Sequence, residues 1–484
     1  MRLLAAATAL TVALLTGASA ARAADVGAND DSAKHAADGG LSMYGQMAAV
    51  GLRQTVISVR FKPSEALVIQ DKRLLDRAIP NALDAGLRVV LAVYPYPPRE
   101  LEAGLGTPTL FASYVSAVAH AYPEVRQFVI GNEPNQPAFW RPQFTRAGAN
   151  ASGPAFGRYL AAAFDALKGI DPGLEVVGIG LSPRGNDKPK AKSNVSTSPV
   201  RFLRALGAWY RASGRTRPLM DSFSFHPYPN RATDPLDRGY GWPNAGFVNL
   251  ERIKLALWDA FHGTGQPTTV DGLRLHLDEV GWQVDTSRRA GYQGKENVPV
   301  TDELTQAVIY GDLIRRSACE LDVDEVSFFG FRDDGLRTGF QAALQRADGT
   351  PRPAADAVRA AIAETAAGCS ETPLPWIPIN EVVGAAAELR VDRLGRATAL
   401  LAAGEEARAT ACVYGLSVEG IGGAAPRALR APRCETAIVG PGALNLALPI
   451  PVGEDVRANV ALKLAAASNP IRRTLVAHEI PAVR

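Results

Sequence analysis

The chain is poor in cysteine and histidine. Four cysteines and six histidines are scattered over 484 residues, with no metal-ligand spacing and no histidine cluster, so neither a metal nor any other cofactor is expected. It also lacks an excess of one charge. Its 52 basic residues stand against 49 acidic ones, for a net charge of +3. That balance argues against a nucleic-acid partner, which calls for a concentrated basic face. No segment after the extreme N-terminus is long and apolar enough to span a bilayer, and no glycine-rich phosphate turn follows an early strand. The second absence counts against a doubly wound open sheet.

What is present is a core and a leader. Apolar residues make up 47% of the chain, enough for one large domain and a smaller one. Met1-Arg2-Leu3-Leu4 opens an apolar Ala/Leu/Val run to Leu15, with Ala18-Ser19-Ala20 and Ala21-Arg22-Ala23 as cleavage sites. Residues 1–23 therefore read as a secretory signal peptide, and the mature protein is expected to be secreted or periplasmic with no membrane attachment. Four cysteines suit that compartment. Cys319 with Cys369 and Cys412 with Cys434 is the preferred pairing, although four cysteines allow three connectivities.

From Asp25 to Thr365 strand-like and helix-like segments alternate. Buried strands are read at 25–30, 54–61, 89–94, 128–130, 174–181, 220–226, 273–280 and 323–331. A helical segment follows each, the last at Ala354 to Thr365. Eight such pairs predict a (β/α)₈ TIM barrel over residues 24–369. Connections from helix to strand are short. Those from strand to helix become long and polar at 134–154, 182–198, 229–245 and 283–301, which marks the C-terminal ends of the strands as the functional face. Pro373, Pro375 and Pro378 then make a linker, and short strand-like runs divided by Gly and Pro predict a β-sandwich accessory domain over 370–484, with a structural role.

The chain is organised around Gly131-Asn132-Glu133-Pro134-Asn135, which places a carboxylate just beyond the fourth strand. The seventh strand ends Leu275-His276-Leu277-Asp278-Glu279-Val280. Period two puts Leu275, Leu277 and Glu279 on one face, so Glu279 continues an apolar row at the strand tip, where an unpaired carboxylate would be costly. Two carboxylates at the mouth of one barrel suit glycosidic bond cleavage. One protonates the leaving oxygen and the other attacks the anomeric carbon; the separation is about 5–5.5 Å for retention and roughly 6.5–9.5 Å for inversion.

These motifs resemble the clan of retaining (β/α)₈ glycoside hydrolases that includes cellulases, β-mannanases and β-xylosidases. Gly131 to Asn135 together with His226-Pro227-Tyr228 is most similar to its β-xylosidase and exopolysaccharide-hydrolase branch, and the resemblance spans Asp25 to Thr365. It implies Glu133 as general acid/base, Glu279 as nucleophile and Asn132 on the sugar 2-hydroxyl. It further implies Arg60 as the cation that keeps the nucleophile ionised, and His226 with Tyr228 lining the central subsite, the phenol within reach of the nucleophile. Where the clan usually offers a tryptophan after strand eight, this chain has Phe328-Phe329-Gly330-Phe331-Arg332. Phe331, or Trp282 in its place, is expected beneath the sugar, and Tyr94, Tyr96, Trp140 and Trp242 are further stacking candidates.

An oligo- or polysaccharide partner follows from that resemblance, cleaved at β-linkages. A non-catalytic sugar-binding barrel and a transglycosylase are the alternatives. Lys188, Lys190, Lys192, Arg231, Arg288 and Arg289 crowd the long loops, where an acidic glycan would be attracted.

Overall fold

The computed structural model describes residues 23–369 apart from 242, residue 376, and seven C-terminal strands. The segment 1–22, most of the proline linker and Trp242 lie outside the described residues.

Eight parallel strands close into a barrel in sequence order: β1 Asp25–Asn29, β2 Gln54–Phe61, β3 Arg88–Pro95, β4 Gln127–Ile130, β5 Glu175–Leu181, β6 Ser222–Phe225, β7 Arg274–Val280 and β8 Val323–Phe329. Around them run α1 Ser32–His35, α2 Leu41–Val50, α3 Lys72–Asp84, α4 Pro98–Glu102, α5 Pro108–Ala121, α6 Ser152–Ile170, α7 Pro199–Ala212, α8 Leu250–Phe261, α9 Glu303–Ser317 and α10 Pro353–Thr365. Strands such as Val89 to Val93 are apolar on both faces because one face meets the helices and the other the barrel axis. Two of the helices, α5 and α9, start on side-chain caps. Thr107 accepts the N–H of Leu110, and Asp302 accepts those of Leu304 and Thr305, so donors with no intrahelical partner are satisfied.

The barrel axis is filled in three levels. At the base Glu325 accepts from Gln54 at 2.9 Å, from Gln127 at 2.9 Å and from Arg88 at 2.5 Å, and His276 stands 3.3 Å away. Gln54, Gln127, His276 and Glu325 are all buried, so the carboxylate is neutralised by a closed polar plug. Val56, Val90, Ala92, Val129 and Val177 form the apolar middle. The top carries the polar site described below.

Cys319 and Cys369 are joined by a disulfide that ties the end of α9 to the chain after α10. Beyond it come β9 Ala386–Val391, β10 Ala397–Ala403, β11 Ala407–Val418, β12 Arg427–Val439, β13 Gly442–Ala447, β14 Val456–Ala466 and β15 Arg473–Ala477. They make two antiparallel sheets, ordered β13-β10-β9 and β12-β11-β14-β15. Cys434 is disulfide-bonded and lies in register opposite Cys412 on the neighbouring strand.

Candidate active site

The chain leaves β4 through Gly131, at φ +115°, where a Cβ would lie 2.4 Å from the carbonyl oxygen of Ile179. Only glycine fits this approach. Glu133 follows at φ +44°, a left-handed conformation that costs a side-chain-bearing residue about 1–2 kcal/mol. Its N–H donates to the carbonyl of Gly180 at 2.6 Å. Buried Asn135 fixes the same turn from behind. Its amide donates to the carbonyls of Ser182 and Thr197 at 3.1 and 2.9 Å, and its oxygen accepts the N–H of Ser182. Half-buried Asn132 sits between them, its Cα 3.2 Å from where a Gly180 side chain would begin.

Glu279 reaches the mouth by a different device from the one strict alternation predicts. Leu275 and Leu277 point into the core shared with the helices, while His276 and Asp278 face the axis. Alternation would send Glu279 outward with the leucines. Between Leu277, paired with Val326, and Val280, paired with Phe328, β7 advances three residues against two on β8. This bulge breaks the alternation and swings the Glu279 carboxylate into the mouth.

His226, at the end of β6, brings the carboxylates together. Its Nδ1 lies 3.3 Å from Oε1 of Glu133 and 3.3 Å from Oε2 of Glu279, and its Nε2 lies 3.4 Å from Oδ1 of Asp278. Asp278 is itself buried and accepts the hydroxyl proton of Ser224. Burial disfavours a charged imidazole, but the Glu279 and Asp278 charges and the bonds to Asp278 and Glu133 outweigh it, so the His226 pKa lies well above 6.5. The Tyr228 hydroxyl donates to Oε1 of Glu279 at 2.8 Å. Burial, and then the Glu279 charge, raises the phenol pKa well above its usual value, which keeps it a donor.

Glu279 is pushed up to about 7, first by burial. His226 and Tyr228 oppose that rise, whereas the Glu133 and Asp278 charges add to it. The resemblance implied a nucleophile kept ionised; here desolvation of the largely buried carboxylate prevails over its hydrogen bond and the imidazole charge.

Other sequence candidates lie elsewhere. The described contacts of Arg60 go to Tyr94, by hydrogen bond, and to Tyr96, whose ring centre is 5.2 Å from the guanidinium. The basic side chain in contact with Glu279 is His226. Tyr94 is buried, edge-on to Phe139. Trp140 is 3% exposed and meets Phe156 and Tyr159 edge-on, so it is core rather than platform. Trp282 is 2% exposed, with Nε1 donating to the carbonyl of Asp234 at 2.9 Å. Phe331 is fully buried, its N–H held by Asp30 at 2.6 Å. None of these three rings is open to a sugar. Tyr96 remains exposed at its edge of the barrel.

The aromatic walls come from rings the sequence did not single out. A cleft of about 310 Å³ opens on Glu133, Glu279 and Tyr228, and Phe139, Phe329 and Phe340 flank them. Phe329 precedes a cis peptide to Gly330. Phe340 arrives on the long connection after β8. That connection is fastened by a Gln283–Gln341 pair at 2.6 Å and by buried Asp333, which binds Arg352 and Tyr292. Among the described residues no group of His, Cys, Asp or Glu side chains is arranged to hold a metal ion. No helix among them is long and apolar enough to cross a membrane.

No protein-family model matches the chain, and no curated protein matches it. Solved structures similar to it include a family 39 glycoside hydrolase from Bacteroides cellulosilyticus WH2, 12% identical, covering 88% of this chain and 81% of that one, with a TM-score of 0.47. A GH39 enzyme from Xanthomonas axonopodis pv. citri is 15% identical over 91% and 93%, TM-score 0.45. A GH5_18 structure from Streptomyces cattleya in complex with GlcNAc is 15% identical over 74% and 83%, TM-score 0.47.

Proposed function

We propose that the protein is an exported glycoside hydrolase that cleaves β-linked oligo- or polysaccharides with retention, by double displacement. The observation that carries this is the pair of carboxylates on one imidazole nitrogen. Each oxygen is 3.3 Å from Nδ1 of His226, so the two are at most about 6.6 Å apart. Such a close approach of one oxygen from each group favours the retaining separation of about 5–5.5 Å over the roughly 6.5–9.5 Å of an inverting pair.

In the first step the ionised Glu279 attacks the anomeric carbon. The glycosidic C–O bond breaks, and Glu133 gives its proton to the departing oxygen. In the second, Glu133 takes a proton from water as that water attacks the same carbon, and the bond to Glu279 breaks. Tyr228 and His226 steady the Glu279 charge before attack and receive it back afterwards. Asn132 meets the sugar 2-hydroxyl, and Arg60, in contact with Tyr94 and Tyr96, serves the outer edge of the site. Residues 1–23 act as the export signal, and the Cys319–Cys369 disulfide suits an oxidising compartment. The two C-terminal sheets make a sandwich-type accessory domain over 370–484 with a structural role.

A panel of aryl β-glycosides, with the first-formed anomer read by NMR, tests the reading. Release of the β-anomer supports it. Release of the α-anomer, or no turnover across the panel, would overturn it.

A further inference from the structure

The mouth is not evenly charged. The connections after β4 and β5, residues 134–154 and 182–198, carry Arg141, Arg146, Arg184, Lys188, Lys190 and Lys192 against one acid, Asp187. Asp187 is engaged within its own loop base, accepting the N–H of Ser198 at 2.8 Å and lying 3.5 Å from Arg201. The other long connections are closer to balance, with Arg288, Arg289 and Lys295 against Asp285 and Glu296 in residues 283–301. Arg289 pairs with Glu303 at 2.9 Å, and residues 229–245 hold two arginines and two aspartates. The positive field therefore sits on one side, beside Glu133.

One of these cations stands in the cleft itself. Arg184 is exposed and lines the same opening as Glu133, Gln136 and Phe139. It is held from behind. Nη1 donates to the carbonyl of Asn230 at 2.9 Å, the side chain hydrogen-bonds the Tyr240 hydroxyl, and its backbone oxygen accepts from the Gln136 amide. Among the described residues no carboxylate pairs with Arg184, Lys188, Lys190 or Lys192. A guanidinium fixed at one end, facing an aromatic-walled cleft and lacking an internal counter-charge, suits a planar oxyanion.

We propose that the Glu133 side of the cleft is a subsite for an anionic sugar, one carrying a carboxylate or a sulfate, with Arg184 as its anchor and the three lysines as its outer field. The inference rests on the glycosidase reading for one point only: the group beside the proton donor is the leaving-group sugar, so the charge belongs on the residue released first. The attraction acts near water and is screened by salt.

Calorimetry on the full chain carrying Glu133→Gln, which prevents turnover, tests the subsite. The titrants are a uronic-acid oligosaccharide, a sulfated one and a neutral one of equal length. At least one charged titrant is expected to bind about tenfold or more tighter than the neutral one at low salt, and the tighter identifies the group. The advantage should shrink at high salt and vanish with Arg184→Gln added, at an unchanged melting temperature. K188Q/K190Q/K192Q, on an exposed loop, should flatten the salt dependence. Equal affinity for all three titrants, or an advantage that survives Arg184→Gln, would overturn the subsite. Cleavage of the neutral sugar by the wild-type protein with equal affinities would sink the subsite and leave the hydrolase. Charged-sugar preference with no cleavage of any titrant would do the reverse.

Discussion

The Tyr228 hydroxyl and Glu279 share one hydrogen bond, 2.8 Å long, on a carboxyl that burial pushes up to about 7. Attack needs the ionised form, so kcat/KM is expected to fall as pH drops below about 7. A hydrogen bond to a charged group contributes about 1.5–3 kcal/mol, and about 1.4 kcal/mol corresponds to one pKa unit. Tyr228→Phe should therefore move the acid limb upward by at least about one unit while leaving activity at high pH less affected. A limb that stays in place would remove this bond from the mechanism.

His226 binds its proton more tightly in the folded protein than in the unfolded chain. A raised pKa adds stability that is fully present below the unfolded value of about 6.5 and is lost as pH rises through the folded value. The gap in unfolding free energy between the wild type and His226→Asn should be widest at the acid end and close as pH rises. Denaturant titrations over that range measure it, and a gap independent of pH would mean that the imidazole is held neutral. The same variant should lower kcat/KM by about a hundredfold or more, since the group binding both carboxylates is gone.

Trp140 and Trp282 are buried, whereas Phe329 and Phe340 line the cleft. Trp282→Phe loses a hydrogen bond and leaves a gap, a destabilisation of about 1–3 kcal/mol, and Trp140→Phe should behave alike. Neither should change KM beyond about twofold, whereas Phe340→Ala should raise KM with little loss of stability. Thermal melts paired with steady-state kinetics separate the two classes. A large KM effect at Trp282 would contradict its placement.

The Cys319–Cys369 bridge closes a loop with a sequence separation of 50. Chain entropy puts its contribution near 4 kcal/mol. Cys369→Ser should lower the melting temperature. Unchanged melting would show that α9 and α10 hold that corner without it.

Much of the barrel could be read from residue order because buried parallel strands are apolar runs and the helices between them carry periodic apolar stripes. The placement of Glu133 and Glu279 at the mouth could be read as well, since each stands at the end of such a run. The aromatic walls could not. Whether Trp282 or Phe329 meets solvent depends on how the connections after β7 and β8 fold over each other, and the Gln283–Gln341 and Asp333–Arg352 contacts that settle it join residues far apart in the chain. The direction of Glu279 was also concealed. The bulge that turns it is a register shift against β8 and leaves no trace in the composition of β7. Arg184 belongs to no motif, and the contacts that fix it, to Asn230 and Tyr240, come from a different connection of the barrel.

The plug of Gln54, Gln127, His276 and Glu325 leaves the barrel no back door. Whatever enters the mouth must retreat by the way it came. On the glycosidase reading proposed above, the released fragment and the next substrate share that one opening.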